Sequence, residues 1–113
     1  MKKLFTALFC SAVSFSAFAG GNIDNGKALV DKYSCAACHG KDFNSPIDPS
    51  YPKLAGQHAD YLQHALTAYK RGEGANGRSN AIMTGQVKPL TNKDIQDIAA
   101  YLHSLPGTLV NHR

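Results

Sequence analysis

The stretch Tyr33-Ser34-Cys35-Ala36-Ala37-Cys38-His39-Gly40 constrains this chain more than any other. Two thiols three residues apart, with an imidazole directly behind the second, form a donor set, and a chain carrying one folds around whatever the set holds. Three chemistries use such a set: a zinc ion, a redox-active disulfide and a covalently attached haem. Structural zinc takes four ligands, usually in two spaced pairs, whereas His58, His64, His103 and His112 form no paired motif here. A thioredoxin-like Cys-x-x-Cys belongs beside a βαβ pattern, and this sequence has no alternating strand pattern. Cys-x-x-Cys-His is the haem attachment signature. In it, two thiols add to the two vinyl groups on one porphyrin edge, and the next residue turns its imidazole under the iron. Cys35 and Cys38 are therefore the candidate covalent anchors and His39 the candidate proximal ligand.

The start of the chain bears on how those cysteines are counted. Met1-Lys2-Lys3 is basic, Leu4 to Phe18 is mostly apolar, and Ala17-Phe18-Ala19 has the small-x-small form of a signal-peptidase site. Residues 1–19 read as a cleaved signal peptide and residues 20–113 as one small domain. A membrane anchor is the weaker reading, since a span needs about 20 predominantly apolar residues and Thr6, Ser11, Ser14 and Ser16 interrupt this one. Lipidation at Cys10 is disfavoured by the bulky Phe9 before it and by its depth in the apolar stretch.

Cleavage leaves Cys35 and Cys38 as the remaining cysteines and exports the domain to the periplasm, with no further apolar run long enough to span a membrane. The net charge of +4 loses Lys2 and Lys3, and the other basic residues scatter between Lys27 and Arg113. No nucleic-acid partner is expected from so diffuse a bias. A domain this small buries a modest core, and such domains often depend on a disulfide, a metal or a cofactor.

Helical periodicity organises the rest. Gly26, Leu29, Val30 and Tyr33 share a helical face, predicting a helix from Asn22 to about Tyr33 that leads into the cysteines. From Gly40 to Gly56, Pro46, Pro49 and Pro52 among Asn, Asp and Ser predict a long loop. A loop of that length wraps something. Tyr61, Leu62, Ala65, Leu66 and Tyr69 give a second stripe, beginning near His58 and ending at Gly72. Gly72 to Pro89 reads as a second loop carrying Met83. The last helix opens on Thr91-x-x-Asp94, a capping box with Asp for Glu. It continues through Ile95, Ile98, Ala99, Leu102 and Leu105, and stops at Pro106-Gly107.

Met83 is the one methionine outside the signal. Alone it would be a gap-filling apolar side chain, but beside an attachment motif it becomes the candidate second axial ligand. His58 and His64 are the competing imidazoles, and each reads more simply as solvent-facing, as do His103 and His112. Gly72-Glu73-Gly74-Ala75-Asn76-Gly77 matches G-x-G-x-x-G, but that fingerprint needs a preceding strand, so it reads as a flexible connector.

These residues resemble the class I cytochromes c, particularly short bacterial monohaem members and the single halves of dihaem ones. The resemblance runs from Gly26 to about Leu105 and is carried by Cys35-Ala36-Ala37-Cys38-His39-Gly40, by "PKLAGQHADYL" from Pro52 to Leu62, by the Met83 loop and by "DIQDIAAYL" from Asp94 to Leu102. It implies an all-α fold, three main helices and long loops wrapped around one covalent haem c, with His39 and Met83 on the iron. It also implies that the Pro52 carbonyl accepts the Nδ1 proton of His39, with Pro46 and Pro49 competing, and that the first and last helices cross where Gly26 meets Tyr101.

The function implied is electron transport rather than enzymatic catalysis. A monomeric carrier in a respiratory chain would serve redox partner proteins: a membrane complex, a dehydrogenase, an oxidase or a reductase. A haem subunit of a periplasmic dehydrogenase, or a haem enzyme or ligand sensor with labile Met83 ligation, are the alternatives.

Overall fold

The computed structural model describes residues 20–109; the signal-peptide reading and His112 lie outside the described residues. It is helical, with no strand among the described residues. Five helices follow one another: α1 (Ile23–Lys32), α2 (Ala36–His39), α3 (Ala59–Arg71), α4 (Ala81–Val87) and α5 (Asn92–Ser104). Three of them are the helices predicted from periodicity, and α2 and α4 are short additions.

Each long helix starts and stops for a local reason. The Asn22 side chain accepts the Asn25 N–H at 2.9 Å and caps α1. Gly72, at φ +62°, ends α3, its N–H donating to the carbonyls of Ala68 and Tyr69. In α5 the capping box closes as the sequence suggests, the Asp94 N–H donating to Thr91 Oγ1 at 3.1 Å and the Thr91 N–H to Asp94 Oδ2 at 3.0 Å.

Helices α1 and α5 cross in backbone contact. A Cβ on Gly26 would overlap the carbonyl oxygen of Asp97 and stand 2.8 Å from Tyr101 Cβ, so only glycine permits this approach. The crossing is then locked by a carboxylate. Asp97, 1 % exposed, accepts from the Asn22 N–H at 2.7 Å, from Asn25 Nδ2 at 2.6 Å and from the Lys93 ammonium. Burial works to raise the Asp97 pKa, but these three donors overcome it and hold the group below the ordinary carboxylate range.

Val30, Leu62, Val87, Leu90, Ile95, Ile98, Ala99 and Leu102 form the core with Phe43 and Ala55. Each larger aliphatic or aromatic side chain contributes roughly 1.5–3 kcal/mol on burial. The proline loop joins the core through Phe43, which is 3 % exposed and stands in the left-handed region at φ +55°. Its carbonyl accepts the N–H groups of Leu54 at 2.8 Å and Ala55 at 3.0 Å, and its ring meets Tyr101 edge-on at 6.3 Å. Those two anchors hold a conformation that costs a bulky residue about 1–3 kcal/mol.

Two expectations for the region after α3 are corrected. The Gly72–Gly77 segment is a compact turn rather than a flexible connector: the Gly77 N–H donates to the Gly74 carbonyl at 3.0 Å, and the Arg78 N–H returns to the Ala68 carbonyl at 2.9 Å. Met83 stands in a helix rather than a loop. The extended Asn80 (φ −153°) caps that helix, its Oδ1 accepting from the Ile82 N–H at 3.1 Å and the Met83 N–H at 3.0 Å. Thr84, Gly85 and Gln86 interrupt the apolar spacing of α4, so no stripe betrays it.

Candidate haem site

The attachment motif is a single helical turn. Ser34, at φ +54°, turns the chain out of α1, and the His39 N–H donates to the Cys35 carbonyl at 3.1 Å. Residues three and four apart share a helix face, so Cys35, Cys38 and His39 are presented together. Both thiols are free, neither bonded to the other. Burial pushes the Cys35 thiol up from its ordinary pKa, because desolvation penalises the thiolate. Among the described residues, no group of three or more His, Cys, Asp and Glu side chains is placed to hold a metal ion. Zinc therefore lacks its set.

His39 is 7 % exposed. Its Nδ1 lies 3.0 Å from the Pro52 carbonyl oxygen, and a carbonyl can only accept, so Nδ1 carries the proton and Nε2 is left as the basic nitrogen. This bond fixes both tautomer and ring plane and raises donor strength at Nε2. Of the three candidate prolines, Pro52 is the one in contact. Tyr51 stands beside the imidazole, ring centroids 6.5 Å apart at 51°.

Around His39 the protein leaves space. A cavity of about 230 Å³ and a second of about 200 Å³ share Cys38, His39, Leu54, Leu66, Met83 and Leu102 as walls, so they are two lobes of one cleft. Cys35 lies on the second lobe. The α3 stripe predicted from Leu62, Ala65, Leu66 and Tyr69 lines the first as well as packing on neighbouring helices. Met83, half-buried on α4, is brought to the cleft that His39 walls. His58, His64 and His103 are exposed and line neither lobe; His103 Nδ1 instead meets the Gln57 carbonyl at 2.8 Å.

An apolar cleft with two thiols at one end, an oriented imidazole and a thioether suits a planar macrocycle carrying a metal. The residues present fit haem. Asn80, Arg78 and Tyr61 complete the first lobe. Periodicity marks Tyr61 on the α3 stripe but not Asn80 or Arg78, although Asn followed by a helix is a recognisable cap.

Comparisons with known proteins agree with this geometry. The family model described as Cytochrome c matches residues 23–106. The chain is 40 % identical over 114 residues to cytochrome c4 of Stutzerimonas stutzeri, covering 96 % of this chain and 52 % of that protein. It is 44 % identical over 71 residues to cytochrome c-554(548) of Halomonas halodenitrificans, covering 63 % of this chain and 83 % of that one. A thiosulfate dehydrogenase electron acceptor of Thiomonas intermedia is 36 % identical over 72 residues, 64 % of this chain and 31 % of that protein.

Among solved structures, reduced recombinant cytochrome c4 from Pseudomonas stutzeri superposes with a TM-score of 0.70 at 41 % identity, covering 80 % of this chain and 48 % of that one. The chain spans about half the length of the cytochrome c4 relatives it matches. With that match across the described helices and Cys35, Cys38 and His39 standing in the attachment position, the chain belongs to the cytochrome c family and carries covalently bound haem c.

Proposed function

We propose that this protein is an exported, periplasmic electron carrier, not an enzyme, in which Cys35 and Cys38 anchor one haem c and His39 and Met83 occupy the two axial positions. The reading is carried by one observation: His39, with Nδ1 committed to Pro52, and Met83 wall the same apolar cleft. Haem c supplies the one-electron couple. The chain's own residues decide how that couple behaves. His39 holds Nε2 toward the cleft, and a thioether ligand from Met83 raises the reduction potential.

With His39 and Met83 both held to the iron, no coordination site would be left for a substrate, and Leu54, Leu66 and Leu102 would restrict water. Asn80 holds the first turn of α4 and with it the backbone of Met83. No helix among the described residues is long and apolar enough to cross a membrane.

A pyridine haemochrome spectrum with the intact mass tests this, the expectation being one covalent haem on residues 20–113. The oxidised protein should display the weak red-edge band of methionine–iron ligation, and the reduced protein should bind carbon monoxide slowly. An absent band with rapid carbon monoxide binding would make the protein a ligand-binding haem protein instead. Met83→Ala should abolish the band and lower the potential; an unaltered spectrum would assign the second axial position elsewhere.

A second reading is favoured by the likeness to the thiosulfate dehydrogenase electron acceptor: a dedicated partner of one periplasmic dehydrogenase. Size-exclusion of a native extract separates the two, since a free carrier elutes alone as a monomer.

A further inference from the structure

We propose that Asn76 is a modification site, its side-chain amide converted without an enzyme to a carboxylate by attack of the Gly77 backbone nitrogen, while the fold protects the chemically identical pair Asn25-Gly26. Asn is followed by Gly at these two places in the chain. Glycine matters at the second position because it has no Cβ to shield its nitrogen. The Gly77 nitrogen, after losing its proton to hydroxide, bonds to the side-chain carbonyl carbon of Asn76, and ammonia leaves. The cyclic imide then takes up one water. Opening at the side-chain carbonyl leaves aspartate, and opening at the main-chain carbonyl leaves isoaspartate, with the backbone running through the former side chain. Nothing is oxidised or reduced, and water and hydroxide are the only co-reactants.

Exposure does not separate the two pairs, since Asn25 and Asn76 are both exposed. How firmly the reacting groups are held does. At the first pair the amide is committed, Asn25 Nδ2 donating to Asp97 Oδ2 at 2.6 Å. The nitrogen is committed too: the Gly26 N–H donates to the Asn22 carbonyl at 2.9 Å at the start of α1, and Gly26 is buried where α1 touches α5. Freeing that nitrogen means unwinding the helix and parting the crossing.

At the second pair the Gly77 N–H is held by its bond to the Gly74 carbonyl at 3.0 Å, within a surface turn where Glu73, Gly74, Ala75 and Asn76 are all exposed. A turn held by a few solvent-exposed bonds opens far more often than a helix packed on its neighbour. The two products then differ in consequence. Aspartate keeps the ordinary backbone, whereas isoaspartate adds a main-chain carbon to a turn in which Gly77 lies so close to the Gly72 carbonyl oxygen that not even a Cβ fits. That turn brings the Arg78 N–H to the Ala68 carbonyl at 2.9 Å and leads to the Asn80 cap of the helix carrying Met83. Isoaspartate at 76 therefore loosens the entry to α4.

The test incubates the haem-loaded protein in mildly alkaline buffer and follows both pairs by peptide mass mapping, with an isoaspartyl methyltransferase reporting isoaspartate. Asn76 should gain the amide-to-acid mass about 100-fold faster than Asn25, the ratio being set by how much less often the helix opens. Its rate should rise in proportion to hydroxide. In strong urea the two pairs should react alike, because the fold no longer distinguishes them. Aged protein should exchange the Arg78 amide hydrogen faster than fresh protein, and Asn76→Asp, which has the new charge on an ordinary backbone, should exchange it as fresh protein does.

Equal rates at Asn25 and Asn76 in the folded protein overturn the proposal, as does a folded protein in which Asn76 stays an amide. An Arg78 amide that exchanges as fast in Asn76→Asp as in aged protein overturns the role given to the lengthened backbone. The rate comparison uses the wild-type chain, so it stands whether or not the variant folds. Failure of the carrier reading would be seen separately, in a protein without covalent haem or without the red-edge band.

Discussion

The α1–α5 crossing and the cleft between α2, α3 and α4 are built on opposite plans. At the crossing, protein closes on protein: Gly26 lets two backbones touch, and Asp97 meets three donors. At the cleft, Leu54, Leu66 and Leu102 face a space that the chain leaves open. The difference teaches that stability has two sources here, one encoded in residue-to-residue contact and one supplied by the cofactor. Leucines placed along the cofactor draw their dispersion contacts from it rather than from other side chains.

The largest effect should come from severing the second source. Cys35→Ser with Cys38→Ser should abolish covalently retained haem on a denaturing gel. It should also lower hydrogen-exchange protection in α3 and α4 by about 100-fold, while α1 and α5 keep more of theirs. Equal loss in all four helices would erase the contrast. Next in size is Gly26→Val, which forces the crossing apart. It should cost about 3 kcal/mol, on the order of 15 °C in melting temperature for a domain of this size. An unchanged melting point would show that the crossing is not where the first source resides.

Asp97→Asn should cost about 2 kcal/mol at neutral pH, because the neutral amide loses charge-assisted bonds. The sign of its pH dependence follows from the depressed pKa in the fold. The contribution is complete above the unfolded value of about 3.9 and is lost as pH falls from there through the folded value. Urea melts from pH 7 to pH 3 should therefore lose less stability in Asp97→Asn than in the wild type, and parallel curves would count against the clamp. The smallest effect is Thr91→Ala, about 1 kcal/mol for a lost cap, with the reduction potential untouched. A changed potential there would mean that the crossing side and the haem side are less separate than drawn.

What could be read from the sequence divides along physical lines. The capping box at Thr91 and the stripes on α1, α3 and α5 were legible, because periodicity over three turns is a strong signal. The donor set at Cys35, Cys38 and His39 and the Pro52 acceptor were legible through motif and resemblance. Helix α4 was not, since seven residues with Gly85 and Gln86 among them carry too few apolar positions to show a period. Asp97 hid because a carboxylate on a helix ordinarily faces water, and only the approach of Asn22 and Asn25 from another helix makes it buried. Phe43 hid because a left-handed backbone is rare for an aromatic residue.

Tyr101 stands against Gly26 on one side and against the Phe43 ring on the other. Phe43 in turn accepts the N–H groups of Leu54 and Ala55, a short step from the Pro52 carbonyl that orients His39. Selection on the imbedded imidazole and selection on the helix crossing therefore meet in a single side chain. In a lineage drifting under both pressures, positions 26, 43 and 101 should change as a set or not at all. A bulkier residue at 26 would become tolerable only if α1 and α5 moved apart, because the first atom it meets is the Asp97 carbonyl oxygen, and that shift would carry Tyr101 away from the Phe43 ring.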